Sequence, residues 1–233
     1  MRLRMFFALS LVAAAAFAQK PDDDLLAIQD NSFLLEEAYN QEAGVIQYIN
    51  VYVRDQETGE GVFAFTNELP VGSQKHQFSY TVPIDSHDDI GDIALNYRYQ
   101  LVGNGSTKLA IAPRLSVLLP TGEGSDDTGI QIGIPISRVL GPRVAAHTNL
   151  GATWQNEFEF SAGQSFIYAL SSHTHLMLEG VWTRSDSDHE LVINPGIRWA
   201  INLSNGFQVV PGVSYAIARN GDNAALLYLS FER

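Results

Sequence analysis

Alternation of apolar and polar residues is the feature of this sequence that most constrains its fold. From residue 45 onward, long segments repeat with a period of two, and the clearest one places Ile130, Ile132, Ile134 and Ile136 against Gln131, Gly133, Pro135 and Ser137. A period of two puts successive side chains on opposite faces of a β-strand, whereas an amphipathic helix needs a period of 3.6. The sequence therefore predicts an all-β protein whose strands each have one apolar and one polar face.

The alternating segments give about 12 predicted strands, separated by turn residues. Their ranges are 46–54, 61–70, 75–84, 91–102, 107–119, 128–139, 143–154, 161–170, 174–184, 189–201, 206–218 and 222–231. Strands of about 9 to 11 residues cross a bilayer when tilted, and single-chain bacterial outer-membrane barrels have an even number of strands. We therefore expect residues 45–233 to form a transmembrane antiparallel up-and-down β-barrel.

Acidic residues indicate which face of the strands meets lipid, since a soluble barrel would enclose its apolar face. Counted along the chain from the first predicted strand, the odd-numbered connections and the strand residues next to them contain 16 of the 26 acidic residues, namely Asp55, Glu57, Glu60, Asp85, Asp88, Asp89, Asp92, Glu123, Asp126, Asp127, Glu157, Glu159, Asp186, Asp188, Glu190 and Asp222. The even-numbered connections are shorter and contain no acidic residue. Two chemically different ends favour a membrane barrel with long external loops and short periplasmic turns.

Composition excludes several classes of function. The chain has no cysteine, which rules out disulfides, thiol nucleophiles and cysteine-ligated metals. Its net charge of −12 opposes binding to nucleic acid, because a phosphate backbone requires clustered Lys and Arg. No phosphate-binding glycine motif and no calcium-loop spacing occurs, so we expect neither a cofactor nor a metal site.

The first 44 residues differ from the rest of the chain. Residues 1–18 combine two arginines, an apolar run and a small-residue cleavage site, which predicts a signal peptide for export. Residues 19–44 form a predicted N-terminal segment in which residues 33–39 read as a short helix. The pattern leaves open whether this segment is periplasmic or plugs the pore; the plug residues would be Phe33, Leu34, Glu36, Glu37 and Tyr39.

Two further groups of residues have predicted places in the barrel. Aromatic residues near strand ends are typical of interfacial girdles: Trp154, Trp182, Trp199, Tyr97 and Tyr99. Residues on the polar faces would line the lumen and set its selectivity for anionic or small polar solutes: Arg98, Arg114, Arg198, Glu179, Asp92, Asn96, Gln131, His147 and Asn194. An alternative is that Arg98, Arg114 and Glu179 form a salt-bridge network that holds the strands together.

Several phrases of the sequence resemble a known family. They are residues 31–42 (NSFLLEEAYNQE), 44–47 (GVIQ), 91–99 (GDIALNYRY), 112–116 (APRLS) and 119–122 (LPTG). Together they look like a family of small outer-membrane barrels named as transporters of the phenol meta-cleavage, or MetA, pathway. The resemblance implies a barrel in the outer membrane of a Gram-negative bacterium that passes small molecules, with aromatic or hydrophobic compounds as the class suggested by the family alone.

The predicted function is a porin-like channel for small molecules, without enzyme activity. The last strand is similar to the C-terminal signal of outer-membrane barrels, so the expected partners are the barrel assembly machinery, outer-membrane lipids and lipopolysaccharide, beside a solute of unidentified class. A closed structural or adhesive barrel is one alternative, if residues 30–43 fill the pore. A hydrolase is another, with His87, His147 or His189 as base, although no nucleophile stands in a recognised motif.

Overall fold

The computed structural model describes residues 31–87, 89–122, 127–186, 188–204 and 206–233. The predicted signal peptide and the start of the N-terminal segment lie outside these residues. The described strands are β1 (Gln47–Asp55), β2 (Gly61–Val71), β3 (Ser73–Asp85), β4 (Ile93–Tyr99), β5 (Leu109–Ile111), β6 (Arg114–Leu119), β7 (Gly129–Gly141), β8 (Val144–Gln155), β9 (Glu157–Ala169), β10 (Thr174–Ser185), β11 (His189–Trp199), β12 (Ile201–Asn202), β13 (Gln208–Ala218) and β14 (Ala224–Glu232).

These strands close into an antiparallel barrel. Neighbours in sequence pair with each other around the ring, and β1 pairs with β14 from Gln47 opposite Glu232 to Asp55 opposite Ala224. The short β5 continues the line of β6, and β12 continues the line of β11, so the ring has 12 positions in the described part of the chain. Closure leaves no free sheet edge, which a barrel in lipid requires because unpaired backbone groups there are costly.

Strand boundaries differ from the sequence prediction where proline or pairing intervenes. The predicted strand 107–119 is interrupted at residues 112 and 113, because Pro113 has no N–H to donate to a ladder. The predicted strand 161–170 begins earlier, at Glu157, after a single-residue connection at Asn156. Asn156 has a positive φ of 56°, a conformation that asparagine tolerates in tight turns.

The two faces of the strands meet different surroundings. On β7 the side chains of Ile130, Ile132 and Ile134 are exposed on the outer surface, while Gln131 and Ser137 are buried inside. Most other strands of the ring repeat this arrangement, but β1 and β14 do not. Apolar groups outside and polar groups inside are the arrangement of a transmembrane barrel. Separately, no helix in the described residues is long and apolar enough to span a bilayer.

Strand β1 is an exception to this arrangement. Its inward side chains are Ile49, Val51 and Val53, which are buried, whereas Tyr48 and Tyr52 face outward. The inward residues belong to an apolar cluster inside the barrel that also contains Leu226 and Tyr228 of β14 and Phe33 of the N-terminal segment. One side of the lumen wall is therefore apolar, and the prediction that apolar faces meet lipid fails for this strand.

The two ends of the barrel differ in charge. We call the end at Asp55, Asp85, Glu157, Asp188 and Asp222 the acidic rim. The opposite end, where Ile46 pairs with Arg233, is the terminal rim. The expectation of longer connections at the acidic rim is wrong as a general rule: β8 and β9 are joined there by Asn156 alone, whereas residues 100–108 join β4 to β5 at the terminal rim.

Aromatic residues predicted to form girdles lie on the outer surface near the two rims. Trp154 and Trp182 are near the acidic rim, where the Trp154 and Phe158 ring centroids are 5.1 Å apart. Tyr97, Tyr99 and Trp199 are near the terminal rim, where the Tyr97 hydroxyl lies 2.6 Å from Nδ1 of His76. These positions are those of interfacial aromatic residues, and their role as a girdle stays a prediction.

Candidate functional site in the barrel lumen

Residues 31–41 lie inside the barrel, and we call them the lumen segment. All except the half-buried Leu34 are buried. The helix predicted over residues 33–39 is wrong: these residues form bends and irregular structure. Along the segment, contacts pass from β11 at Asn31 to β10 at Phe33, β8 at Glu36, β7 at Ala38 and β3 at Gln41. The segment therefore follows the inner wall of the barrel from β11 to β3.

Side chains of the wall bind the backbone of the lumen segment. Oδ1 of Asn149 accepts from the Glu36 N–H at 2.8 Å, and its Nδ2 donates to the Glu36 carbonyl at 2.7 Å. Gln100 similarly accepts from the Asn40 N–H at 2.8 Å and donates to the Ala38 carbonyl at 2.7 Å. These wall side chains satisfy the segment's backbone groups, which explains why no helix is needed there.

Arginine and glutamate side chains add charge-assisted hydrogen bonds to the same backbone. Arg98 donates to the Glu37 carbonyl at 3.0 Å, to the Tyr39 carbonyl at 2.6 Å and to Oδ1 of Asn40 at 2.7 Å. Glu179 accepts from the N–H groups of Phe33 and Leu34 at 3.2 and 2.9 Å. Beyond these contacts, Arg198 donates to the Asn31 carbonyl, and the Tyr39 hydroxyl donates to the Thr107 carbonyl at 2.8 Å. The hydrogen bonds of the arginines and of Glu179 are individually stronger than hydrogen bonds between neutral groups.

Glu36 is the charged centre of the lumen. Its Oε1 lies 3.0 Å from Nη2 of Arg114, and its Oε2 lies 3.9 Å from Nη1 of Arg98. Burial raises the pKa of Glu36, and the guanidinium groups of Arg114 and Arg98 act against that rise. The predicted network of Arg98, Arg114 and Glu179 is wrong in its acidic member, because Glu179 binds backbone N–H groups and Nδ2 of Asn194, at 2.6 Å.

Glycines on the wall make room for the apolar side chains of the lumen segment. A Cβ atom at Gly196 would lie 2.3 Å from the Phe33 ring, and one at Gly212 would lie 2.8 Å from it. The Phe33 ring also meets Tyr228 edge-to-face, with centroids 5.9 Å apart. A Cβ at Gly163 would lie 2.4 Å from Leu35. Because real Cβ contacts are not this short, a larger residue at these positions would require the segment or the wall to shift.

The other predicted lumen residues all lie on the inner side of the wall. Asn96, Gln131, His147 and Asn194 are buried there. Asp92 is half-buried near the acidic rim, where its carboxylate accepts from Gln155 Nε2 at 2.6 Å. Three partners of the lumen segment, Arg98, Arg198 and Glu179, are among the predicted lumen residues, and its other partners include Gln77, Gln100, Ser137, Asn149, Gly196 and Gly212. Alternation placed them on the polar face, but it has no signal for what they bind.

Histidines proposed as bases for a hydrolase are apart from each other. His147 is buried in the wall with Nδ1 2.7 Å from the Ser137 hydroxyl, which itself accepts from the Ala38 N–H. His87 lies near Asp85, with 3.8 Å between Nδ1 and the carboxylate, and His189 lies near Arg219. Over the described part of the chain, no group of three or more His, Asp or Glu side chains could hold a metal ion.

Comparison with known proteins identifies the family. The family described as "Putative MetA-pathway of phenol degradation" matches residues 24–233 of this chain. The chain belongs to this family. The match covers the lumen segment and the whole barrel, which confirms the resemblance noted in the sequence. No curated protein matches the chain.

Solved structures similar to this family member are outer-membrane barrels. The KdgM porin in complex with disordered oligogalacturonate has a TM-score of 0.59 at 8% identity, covering 81% of this chain and 97% of the porin. The COG4313 outer membrane channel from Pseudomonas putida F1 has a TM-score of 0.55 at 13% identity, with coverages of 81% and 93%. The NanC porin has a TM-score of 0.56 at 8% identity, with coverages of 80% and 98%. These likenesses establish the fold of an outer-membrane β-barrel.

Proposed function

We propose that this protein is an outer-membrane channel for small solutes and that the lumen segment closes it reversibly. One observation carries the proposal: several polar side chains of the lumen wall bind a peptide segment that lies inside the barrel. Asn149, Gln100, Glu179 and Arg98 each bind this segment through noncovalent contacts. If the segment leaves, these groups line the polar side of the vacated lumen.

The size of the ring supports a passage. In barrels of about 8 strands, side chains alone fill the interior, whereas barrels of 16 to 18 strands leave a wide aqueous channel. A ring of 12 positions lies between these cases, and here a peptide segment occupies the remaining space. Neutral hydrogen bonds each contribute about 1 kcal/mol net, so a set of them can hold the segment and still release it.

Conductance in planar bilayers tests this function. The mature chain should show low or intermittent conductance, and deletion of residues 31–43 should give a stably open channel in the same preparation. Heat-modifiable migration in electrophoresis would establish that both proteins are folded barrels. A folded deletion protein that never conducts ions would refute the channel function and would favour the closed structural barrel.

The solute class is a separate part of the proposal. The family description points to degradation of phenol, which suggests aromatic compounds, and the packing of the Phe33 ring against Tyr228 inside the barrel supports this suggestion. Swelling of liposomes that contain the deletion protein would measure entry of aromatic solutes against sugars of similar size. Equal rates for both would leave the channel without aromatic preference.

Export and assembly follow the same proposal. We expect signal-peptide export, assembly through β14 by the barrel assembly machinery, and contacts of the acidic rim with lipopolysaccharide at the cell surface. Fractionation of membranes from cells that express the full chain would test these steps, with the protein recovered in the outer membrane as the expected result.

A further inference from the structure

We propose that Arg98 and Arg114 form a carboxylate-binding site of the channel, which Glu36 of the lumen segment occupies, and that the solutes recognised there are small organic monocarboxylates. This inference rests on the proposed channel function and names one class of its solutes. Binding of such an anion would displace Glu36 and favour the open channel.

Glu36 occupies this site as a ligand would. Its carboxylate is buried, with 3.0 Å to Arg114 and 3.9 Å to Arg98, and it comes from a segment that the ring of strands does not need for its own pairing. A carboxyl group from another molecule presents the same two oxygen atoms. The size and charge of the site therefore already suit a carboxylate.

Arginine 114 stays positioned without Glu36. Its Nη2 donates to Oε1 of Gln131 at 2.6 Å, and its Nη1 lies 3.5 Å from Oδ1 of Asn96. Both partners belong to the barrel wall, on β7 and β4. A guanidinium that the wall already orients loses little freedom when it binds a carboxylate, which favours binding.

A small pocket lies beside the lumen segment at this site. It borders Glu36 and Arg114 and is otherwise lined mainly by β7, β8 and β9, including Gln131, Asn149 and Ser161. The ion pair therefore lies next to polar wall side chains that a bound carboxylate could also contact.

Electrostatics favour an anion in the vacated site. When Glu36 leaves, two buried guanidinium groups lose their carboxylate, and an uncompensated buried charge is strongly unfavourable. An incoming carboxylate restores the balance. Because Glu36 and the solute compete for the same two arginines, solute binding and closure by the segment must weaken each other by the same factor.

Titration of carboxylates in single-channel recordings tests the inference. Acetate and benzoate are added at constant ionic strength to the mature chain, with acetamide and benzamide as neutral controls of the same shape. Open probability should rise and saturate with the carboxylates and stay unchanged with the amides.

The E36Q variant should be open at least about tenfold more often without added carboxylate, since it weakens a buried ion pair. The E42Q variant, which removes a charge from the same part of the chain, should resemble the mature chain.

Selectivity of the opened channel separates this inference from the channel function. In the deletion of residues 31–43, acetate should permeate better than potassium, and the double change R98Q with R114Q should reduce that ratio several-fold. An R114K variant that keeps the charge should reduce the acetate-to-potassium permeability ratio less.

If the deletion protein conducts but carboxylates and amides act alike on the mature chain, the carboxylate site is refuted and the channel function remains. If the double variant does not fold, the titration of the mature chain decides alone.

Discussion

Some residues of the lumen wall allow close approach of the segment because they have no side chain, while others bind it through polar groups. Phe33 reaches the wall because Gly196 and Gly212 have no side chain, and Leu35 does so at Gly163. Hydrogen bonds to the backbone of the segment do not depend on which side chains the segment has. The space left by the glycines, in contrast, matches the Phe33 ring. We therefore expect the contacts of Phe33 and Leu35 with these glycines to set how tightly the segment is bound in the lumen.

A methyl group at Gly196 should loosen the lumen segment. In G196A the new Cβ would lie 2.3 Å from the Phe33 ring, and such overpacking costs about 1–3 kcal/mol. We expect faster cleavage of residues 31–43 by protease added to the folded barrel, together with more frequent opening in bilayers.

The matched control is G180A, where the nearest heavy atom to a new Cβ is Cδ1 of Ile193 at 3.5 Å. Gly180 lies on the outer side of β10, away from the segment. Identical cleavage rates for both variants would mean that the Phe33 contact does not hold the segment.

Most strands, with β1 and β14 as exceptions, have an apolar side that faces lipid and a polar side that faces the lumen. At the element scale, the position of an outward residue within its strand should therefore decide the cost of a charge. Ile134 is central in β7, while Leu191 is the third residue of β11 at the acidic rim, and their exposures of 39% and 40% are nearly equal.

The I134R variant should destabilise the barrel more than L191R. An arginine at the centre of the bilayer costs about 2–4 kcal/mol, but only about 0–1 kcal/mol near the interface. Unfolding by guanidinium in phospholipid vesicles measures both free energies. Equal losses of stability would contradict the placement of the β7 isoleucines in the lipid core.

Closure of the ring is a property of the whole molecule. The pairing of β1 with β14 joins the two ends of the chain, 9 residue pairs in all. Without β14, the edges of β1 and β13 would each have a row of unpaired N–H and C=O groups, and such groups cost several kcal/mol each in lipid.

Removal of residues 224–233 should therefore abolish insertion into vesicles. Removal of residues 31–43, which deletes a similar number of residues but no strand, should leave the barrel folded. Electrophoretic mobility before and after heating, with circular dichroism for β-structure, measures the outcome. Insertion of the protein without β14 would show that closure is not required.

Much of this architecture could be predicted because alternation is a local property. The all-β class, the near-complete set of strands and the inward direction of Arg98, Arg114, Arg198 and Glu179 all follow from which neighbouring positions are apolar. Pro113 could have been recognised as a break by the same local reasoning. The inward direction of the valines of β1 could not be predicted, because tyrosine and valine are acceptable on either face of a strand.

By itself, the sequence determined a β-barrel with a largely polar interior, since a repeating pattern needs no distant partner to be recognised. Only the tertiary structure decided that residues 31–41 enter the lumen without forming a helix, and that Glu36 is the acid that meets Arg98 and Arg114. The physical reason is separation along the chain: the Arg98 bond to Glu37 spans 61 residues and the Arg198 bond to Asn31 spans 167. Helical preference over residues 33–39 is a weak local effect, and the hydrogen bonds offered by a closed wall outweigh it.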